Sequence, residues 1–155
     1  MSHHEHPAGP PGAIPLAAAQ AGTEAAVRAA GERGVAVVVA VAAASGDPIA
    51  LARMDGVPPL AAESAQRKCR TVALIWRSTA SFAASLKEDL ETEPEFFHGM
   101  HHVGPLMTIG GGVPVVIDGA MAGAVAVSGA STDDDIALAD IAAAAIVAAA
   151  TGRSR

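Results

Sequence analysis

Aromatic side chains are scarce in this chain of 155 residues: there are three phenylalanines, one tryptophan and no tyrosine. Half of the residues are nevertheless apolar, so most of the apolar content is alanine and valine. Small side chains predict a core in which helices pack close to a sheet. The mean hydropathy is positive, which favours extra apolar surface buried in a homo-oligomer. An alanine-rich composition without an interface is the alternative.

Positive charge is also scarce, and the formal net charge is −6. This deficit excludes an ordinary nucleic-acid-binding surface, which needs clustered lysine and arginine. There is no basic amphipathic helix for a membrane surface, and no apolar run reaches the roughly 18 residues of a membrane span. The N-terminus lacks the features of a secretory signal. We therefore expect a cytoplasmic protein without nucleic-acid or membrane partners.

The single cysteine, Cys69, excludes an internal disulfide. It lies on the predicted apolar face of a helix, where a buried structural thiol is more common than a nucleophile. Residues 1–13 are rich in proline, glycine and histidine and are predicted to be a disordered tail. His3, His4 and His6 in this tail are therefore not expected to form a metal site of fixed geometry. The length suits one domain, over residues 14–151.

Hydrophobic periodicity predicts the order α-β-β-α-α-β-β-β-α. Most connections between the predicted strands are hairpins, so the fold class is α/β of the α+β type with a five-stranded antiparallel sheet. A continuous apolar run at residues 35–43 predicts a strand buried on both sides, and hence helices on both faces. Helices are predicted over residues 14–33, 60–77, 79–90 and 131–150, and strands over residues 35–43, 49–54, 106–109 and in a hairpin within 110–129.

The hairpin turns at Asp118–Gly119, because Asp-Gly between two apolar runs favours a type I′ turn. Gly110, Gly111 and Gly112 precede its first strand and allow close approach by backbone or ligand. The last helix begins with a Ser-Thr cap and three aspartates, which oppose the positive end of the helix dipole. This acidic cluster is thereby explained without a metal.

The segment of residues 110–129, GGGVPVVIDGAMAGAVAVSG, resembles the signature of the GlcG/HbpS family, which includes haem-binding proteins and the C-terminal domain of PduO proteins. Residues 53–58 (RMDGVP) and 68–73 (KCRTVA) resemble two further family segments, and Asp135 stands where the family has an acidic residue. The resemblance covers roughly residues 15–150. It implies this kind of sheet, a tendency to oligomerise and haem as a candidate cofactor. It does not supply haem ligands, because family members differ in them.

The segment from Pro94 to Pro105 concentrates rare residue types. It contains every histidine outside the tail and two of the three phenylalanines. Imidazole titrates near neutrality and is a common ligand of haem iron and zinc. Apolar neighbours beside a polar donor are typical of a small-molecule pocket. If this segment is helical, Glu95, His98 and His101 or His102 share a face.

Two functional hypotheses follow. In the first, the protein binds haem or a related small molecule: His98, His101 or His102 is the metal ligand, Phe96, Phe97 and Met100 form the walls, and Lys68 or Arg53, with the backbone of Gly110–Gly112, holds an anionic group. In the second, it is a cofactor-independent isomerase, dehydratase or cyclase acting on a small acidic metabolite. Its catalytic residues are then His101, His102 and Glu95. An oligomeric scaffold or sensor partner, with histidines that only bond backbone or bridge subunits, is a third reading.

Overall fold

The computed structural model describes residues 12–153 of the chain. The predicted tail over residues 1–13, with its three histidines, therefore lies outside the described residues except for residues 12 and 13. The elements in order are α1 (Leu16–Glu32), β1 (Val38–Ala43), β2 (Pro48–Arg53), α2 (Pro59–Ile75), α3 (Thr79–Thr92), α4 (Pro94–Met100), β3 (Gly112–Ile117), β4 (Ala120–Ser128) and α5 (Thr132–Thr151).

The strands form one open antiparallel sheet in the order β2-β1-β4-β3. The antiparallel sheet and the mixed α/β class are confirmed, but the predicted number of five strands is wrong. Residues 106–109 are not a strand, because the backbone N–H of Met107 donates to Thr71 Oγ1 of α2 (2.9 Å) instead of to a neighbouring strand. Part of the predicted loop is instead the short helix α4, so the observed order is α-β-β-α-α-α-β-β-α.

Helices cover both faces of the sheet, as predicted. On one face, α1 and α5 pack against the valines of β1 and β4 that include Val39, Val41 and Val125. On the other face, α2 packs against the small residues Ala40 and Ala126 and their neighbours. β1 is buried on both sides because it lies between these two apolar layers. None of the helices among residues 12–153 combines the length and apolarity needed to cross a bilayer.

Local signals at the hairpin and at the last helix are confirmed. Asp118 and Gly119 both have positive φ, +49° and +79°, as a type I′ turn requires. Ser131 caps α5 by accepting a hydrogen bond from the backbone N–H of Asp134 (3.1 Å). Asp133, Asp134 and Asp135 occupy the first turn of that helix, where negative charge is favourable.

Cys69 lies in the core between α2 and the sheet, and 1% of its surface is exposed. Its thiol donates to the carbonyl of Ala40 at 3.3 Å. Burial raises the pKa of Cys69 to about 12, since the thiolate is disfavoured away from water, although the charge of Lys68 opposes this shift. The thiol is therefore buried, as predicted.

We expect Cys69 to be almost unreactive towards a thiol reagent in the folded protein. With a pKa near 12, only about one thiol in ten thousand is ionised at about pH 8, and the side chain is also shielded. Labelling with an aromatic disulfide reagent should be slow in buffer and complete within minutes in guanidinium chloride. Equal rates in the two conditions would contradict this placement of Cys69.

Candidate functional site

The histidine segment forms α4 and the turn that follows it. Pro94 occupies the first turn of this helix, where its missing N–H costs nothing. Glu95 and His98 lie one turn apart on α4, and His101 follows its last residue. Within residues 12–153, no hydrogen bond or ion pair joins Glu95 to any of these histidines. The acid–base hypothesis, in which Glu95 orients or assists a histidine, is therefore not supported by a contact between these residues.

Phe97 orders two of the three imidazoles. The rings of His98 and His101 lie 5.3 Å and 5.5 Å from the ring of Phe97, both edge-on. Edge-to-face packing is the preferred geometry of such ring pairs. His102 has no ring contact of this kind among the described residues, and all three histidines are exposed. The structure thus groups His98 and His101 around Phe97 and leaves His102 apart.

A cleft of about 350 Å3 lies between α3, α4 and residues 104–108, and we call it the α3–α4 cleft. Its walls are mainly apolar and its polar side chains are few, as is typical of small-molecule sites. Its polar members are His101, Lys87 and Thr108. Its apolar side chains come from α3, α4 and the loop after α4: Phe82, Ala83, Leu86, Leu90, Phe97, Met100 and Leu106.

The sequence does not predict that α3 forms one side of this cleft. Phe82, Leu86 and Leu90 have the spacing of an ordinary core-facing stripe, and that is how they are interpreted from sequence alone. Leu90 is, however, 47% exposed because it faces the open cleft. Lys87 is followed by acidic residues at positions 88, 89 and 91, a charged stretch typical of a solvated face, and no local signal marks it as part of a site.

No group of three or more histidine, cysteine, aspartate or glutamate residues comes close enough to hold a metal ion within the described part of the chain. The structure therefore does not assemble His98, His101 and His102 into one metal centre. A single imidazole in an apolar cleft is nevertheless a sufficient protein ligand for haem iron. Of the three, His101 is the histidine that lines the α3–α4 cleft.

The lysine predicted as an anion partner lies inside the protein. Lys68 is 1% exposed, and its Nζ donates to the carbonyl of Val127 (2.8 Å) and to Asp135 Oδ2 (3.2 Å). Asp135 Oδ1 accepts from the backbone N–H of Ala130 (3.1 Å). The pair joins α2 to the start of α5, and neither residue lines the α3–α4 cleft.

Burial shifts the pKa values of this pair towards the neutral forms. It lowers the pKa of Lys68 and raises the pKa of Asp135, because each charge loses its contact with water. The charge of each partner and the hydrogen bond between them oppose these shifts. The two charges are therefore tolerated only because they are together.

The glycine run lies directly against this ion pair. Gly111 has φ +115°, and a Cβ there would lie 2.7 Å from Val127 O and 2.8 Å from Lys68 Nζ. The N–H of Gly112 donates to Thr79 Oγ1 (3.0 Å), and a Cβ on Gly110 would meet Ile136. All three glycines are buried. The atoms that approach these glycines closely are therefore atoms of the protein itself, and not those of a ligand.

Arg53 is engaged locally at the end of β2. Its Nε and Nη2 both donate to the carbonyl of Val57, at 3.0 Å and 2.6 Å, across the Asp55–Gly56 turn. The structure thus brings three of the residues predicted from sequence into one cleft and leaves the others outside it. Those in the α3–α4 cleft are Phe97, Met100 and His101; those outside are Arg53, Lys68, Glu95, Phe96, His98, His102, Gly110, Gly111 and Gly112.

Replacing Lys68 with methionine should lower the free energy of unfolding by roughly 3–5 kcal/mol, because Asp135 is left buried and unpaired. The double variant Lys68→Met/Asp135→Leu should recover most of this loss, since an apolar pair removes both desolvation costs. Arg33→Gln breaks an exposed ion pair with Asp134 and should change stability little. Chemical denaturation measures all three. A double variant no more stable than Lys68→Met would contradict this account.

The stability of Lys68→Met should also depend on pH. Without the lysine charge, the pKa of Asp135 in the folded state rises further above its unfolded value. A raised folded-state pKa gives stability that is present at low pH and is lost as pH rises through that value. The deficit relative to the unmodified protein should therefore be smaller at about pH 5 than at about pH 8. A deficit that is constant across this range would rule out Asp135 as its source.

Comparison with known proteins bears on the resemblance seen in the glycine hairpin. The family model described as "Haem degrading protein HbpS-like" matches residues 14–145. Protein GlcG of Escherichia coli K12 is 40% identical over 93 residues, which are 59% of this chain and 63% of GlcG. The match therefore spans less than two thirds of the length of GlcG.

Solved structures give the same family. A double mutant of HbpS from Streptomyces reticuli superimposes with a TM-score of 0.74 at 29% identity, covering 93% of this chain and 92% of that one. The PduOC:Heme complex superimposes with a TM-score of 0.73 at 28% identity, covering 86% and 94%. Since the family model spans most of the chain and these structures share its fold, the chain belongs to the HbpS-like family.

Proposed function

We propose that this protein binds haem, or a closely related ligand, in the α3–α4 cleft, with His101 as the ligand of the iron. The observation that carries the proposal is a single imidazole on the wall of an otherwise mainly apolar cleft. Two comparisons support it: the family is described as haem degrading, and a related structure is a complex with haem.

His101 is the residue that would hold the iron, because it is the histidine that lines the cleft. Its ring lies just after the end of α4 and packs edge-on against Phe97, and this contact limits the rotation of the imidazole. The neutral imidazole offers a nitrogen lone pair to iron. Bound haem would supply iron coordination and, with a suitable reductant or oxidant, redox chemistry.

The walls of the cleft suit a porphyrin ring. Leu90, Phe97 and Met100 are accessible and offer apolar contact to a flat ring, above the buried side chains of Phe82 and Leu86. Lys87 lines the same cleft and would bind a propionate through a charge-assisted hydrogen bond. Lys68 and Arg53 are engaged elsewhere, so this role passes from them to Lys87.

The size of the cleft supports a homo-oligomer as part of the same proposal. At about 350 Å3 it lies near the lower end of ligand sites, and it holds one edge of a porphyrin. Apolar side chains close to it in sequence are exposed, among them Phe96 at 48% and Val103 at 64%. A second copy of this domain, residues 14–151, would cover them and the outer edge of the ring.

Haemin titration should produce a shifted and saturable Soret band if the cleft binds haem. His101→Ala should remove the iron ligand and lower affinity by roughly tenfold or more, with a changed Soret position. His102→Ala is the matched control, because it removes the next imidazole along the chain, which is also exposed but lies outside the cleft. An absent Soret shift, or equal spectra for both variants, would overturn the assignment.

Lys87→Gln should weaken the binding of haemin severalfold, because a charge-assisted contact with a propionate is lost. The dimethyl ester of haemin lacks the propionate charge and should bind this variant and the unmodified protein equally. Arg28→Gln, an exposed arginine on α1 that lies outside the cleft, controls for net charge. Loss of ester binding in Lys87→Gln would mean that Lys87 supports the cleft rather than the ligand.

A further inference from the structure

A second cleft lies on the far side of residues 104–106, and we call it the α2 cleft. It measures about 450 Å3, and its floor is formed by β1 at Ala40–Ala42 and its wall by α2. Gly104 and Leu106 line both clefts, so this segment separates them. The proposed haem site does not use the α2 cleft.

The α2 cleft contains one positive charge that has no ion-pair partner among the described residues. Its charged side chains on α2 are Glu63, Arg67 and Arg70. Arg67 Nε donates to Glu63 Oε1 at 2.7 Å, so these two charges cancel. Arg70 has no carboxylate partner within residues 12–153, and its guanidinium remains available.

The stem of Arg70 lies beside the turn between β1 and β2. A Cβ on Gly46, where φ is +87°, would lie 3.5 Å from Arg70 Cα and 3.6 Å from its Cγ. A methyl group at this position would make ordinary van der Waals contact with Arg70, so the turn lies beside the arginine stem without restraining it. The planar guanidinium is itself pre-organised and loses less freedom per hydrogen bond than an ammonium group does.

Most of the other polar groups of the cleft already form hydrogen bonds within the protein. The Thr71 hydroxyl donates to Arg67 O and accepts from Met107 N–H, and the Cys69 thiol donates to Ala40 O. Gln66 donates to Ala62 O through Nε2, which leaves its amide oxygen as an acceptor. Leu74, Pro48 and Leu106 add apolar surface.

We propose that the α2 cleft binds a small monocarboxylate with an apolar body, with its carboxylate on Arg70 and its body against Leu74 and Leu106. The guanidinium fork matches the two oxygens of a carboxylate. A single net positive charge balances one carboxylate, whereas a dicarboxylate would bring a second negative charge near Glu63. The ligand is therefore singly charged and amphiphilic.

Hexanoate, hexanamide and adipate test this proposal, because they share a six-carbon chain and differ in charge. Each is titrated into the haem-free protein while the methyl NMR signals of Leu74 and Leu106 are followed. Hexanoate should shift these signals saturably and bind more tightly than either of the others. Arg70→Gln should weaken hexanoate binding by roughly tenfold without changing the response to hexanamide.

Arg28→Gln is the matched control, since this exposed arginine lies on α1 at the opposite face of the sheet, and it should leave the titration unchanged. Equal binding of hexanoate and hexanamide to the unmodified protein would overturn the proposal. Adipate binding tighter than hexanoate, full affinity in Arg70→Gln, or unshifted Leu74 and Leu106 signals would each do the same. Haemin binding is a separate measurement, so either site can fail alone.

Discussion

The buried ion pair between Lys68 and Asp135 is the interaction on which the rest of the arrangement depends. The two residues belong to helices on opposite faces of the sheet, and the pair joins these helices beside the start of β3. Two charges away from water are costly unless each has hydrogen-bond partners. Val127 and Ala130 supply these partners from the backbone. Gly111 is needed because no Cβ fits between the lysine and the strand.

Much of the architecture is predictable because its signals are local. The turn at Asp118–Gly119, the cap at Ser131 and the doubly buried β1 each depend on residues that are adjacent in sequence. The third predicted strand fails for a different reason. Residues 106–109 have strand-like composition, but the N–H of Met107 is hydrogen-bonded to Thr71, which lies 36 positions earlier in the chain. The pattern of neighbouring residues cannot predict a hydrogen-bond partner that is so distant in the sequence.

The candidate sites divide in the same way. An unusual local composition identified the segment that carries His101, whereas Lys87 and Arg70 look like ordinary surface charges in sequence. Their neighbours come from other elements: residues 104–108 close the α3–α4 cleft, and the turn at Gly46 lies beside Arg70. Lys68 was expected at an anion site, but its counter-charge, Asp135, lies 67 positions away. Three-dimensional placement, rather than residue type, decides which cations are free.

The close packing of α1 against α5 determines where the ends of the domain lie. Gly22 of α1 faces Ile146 of α5, while Arg33, just after α1, pairs with Asp134 at the start of α5. The two helices therefore run in opposite directions, and Leu16 and Thr151 lie at the same end of the pair. Anything joined to either terminus of the domain would be tethered on this side of the sheet. The opposite side, with α2 and its neighbouring clefts, would stay open to ligands.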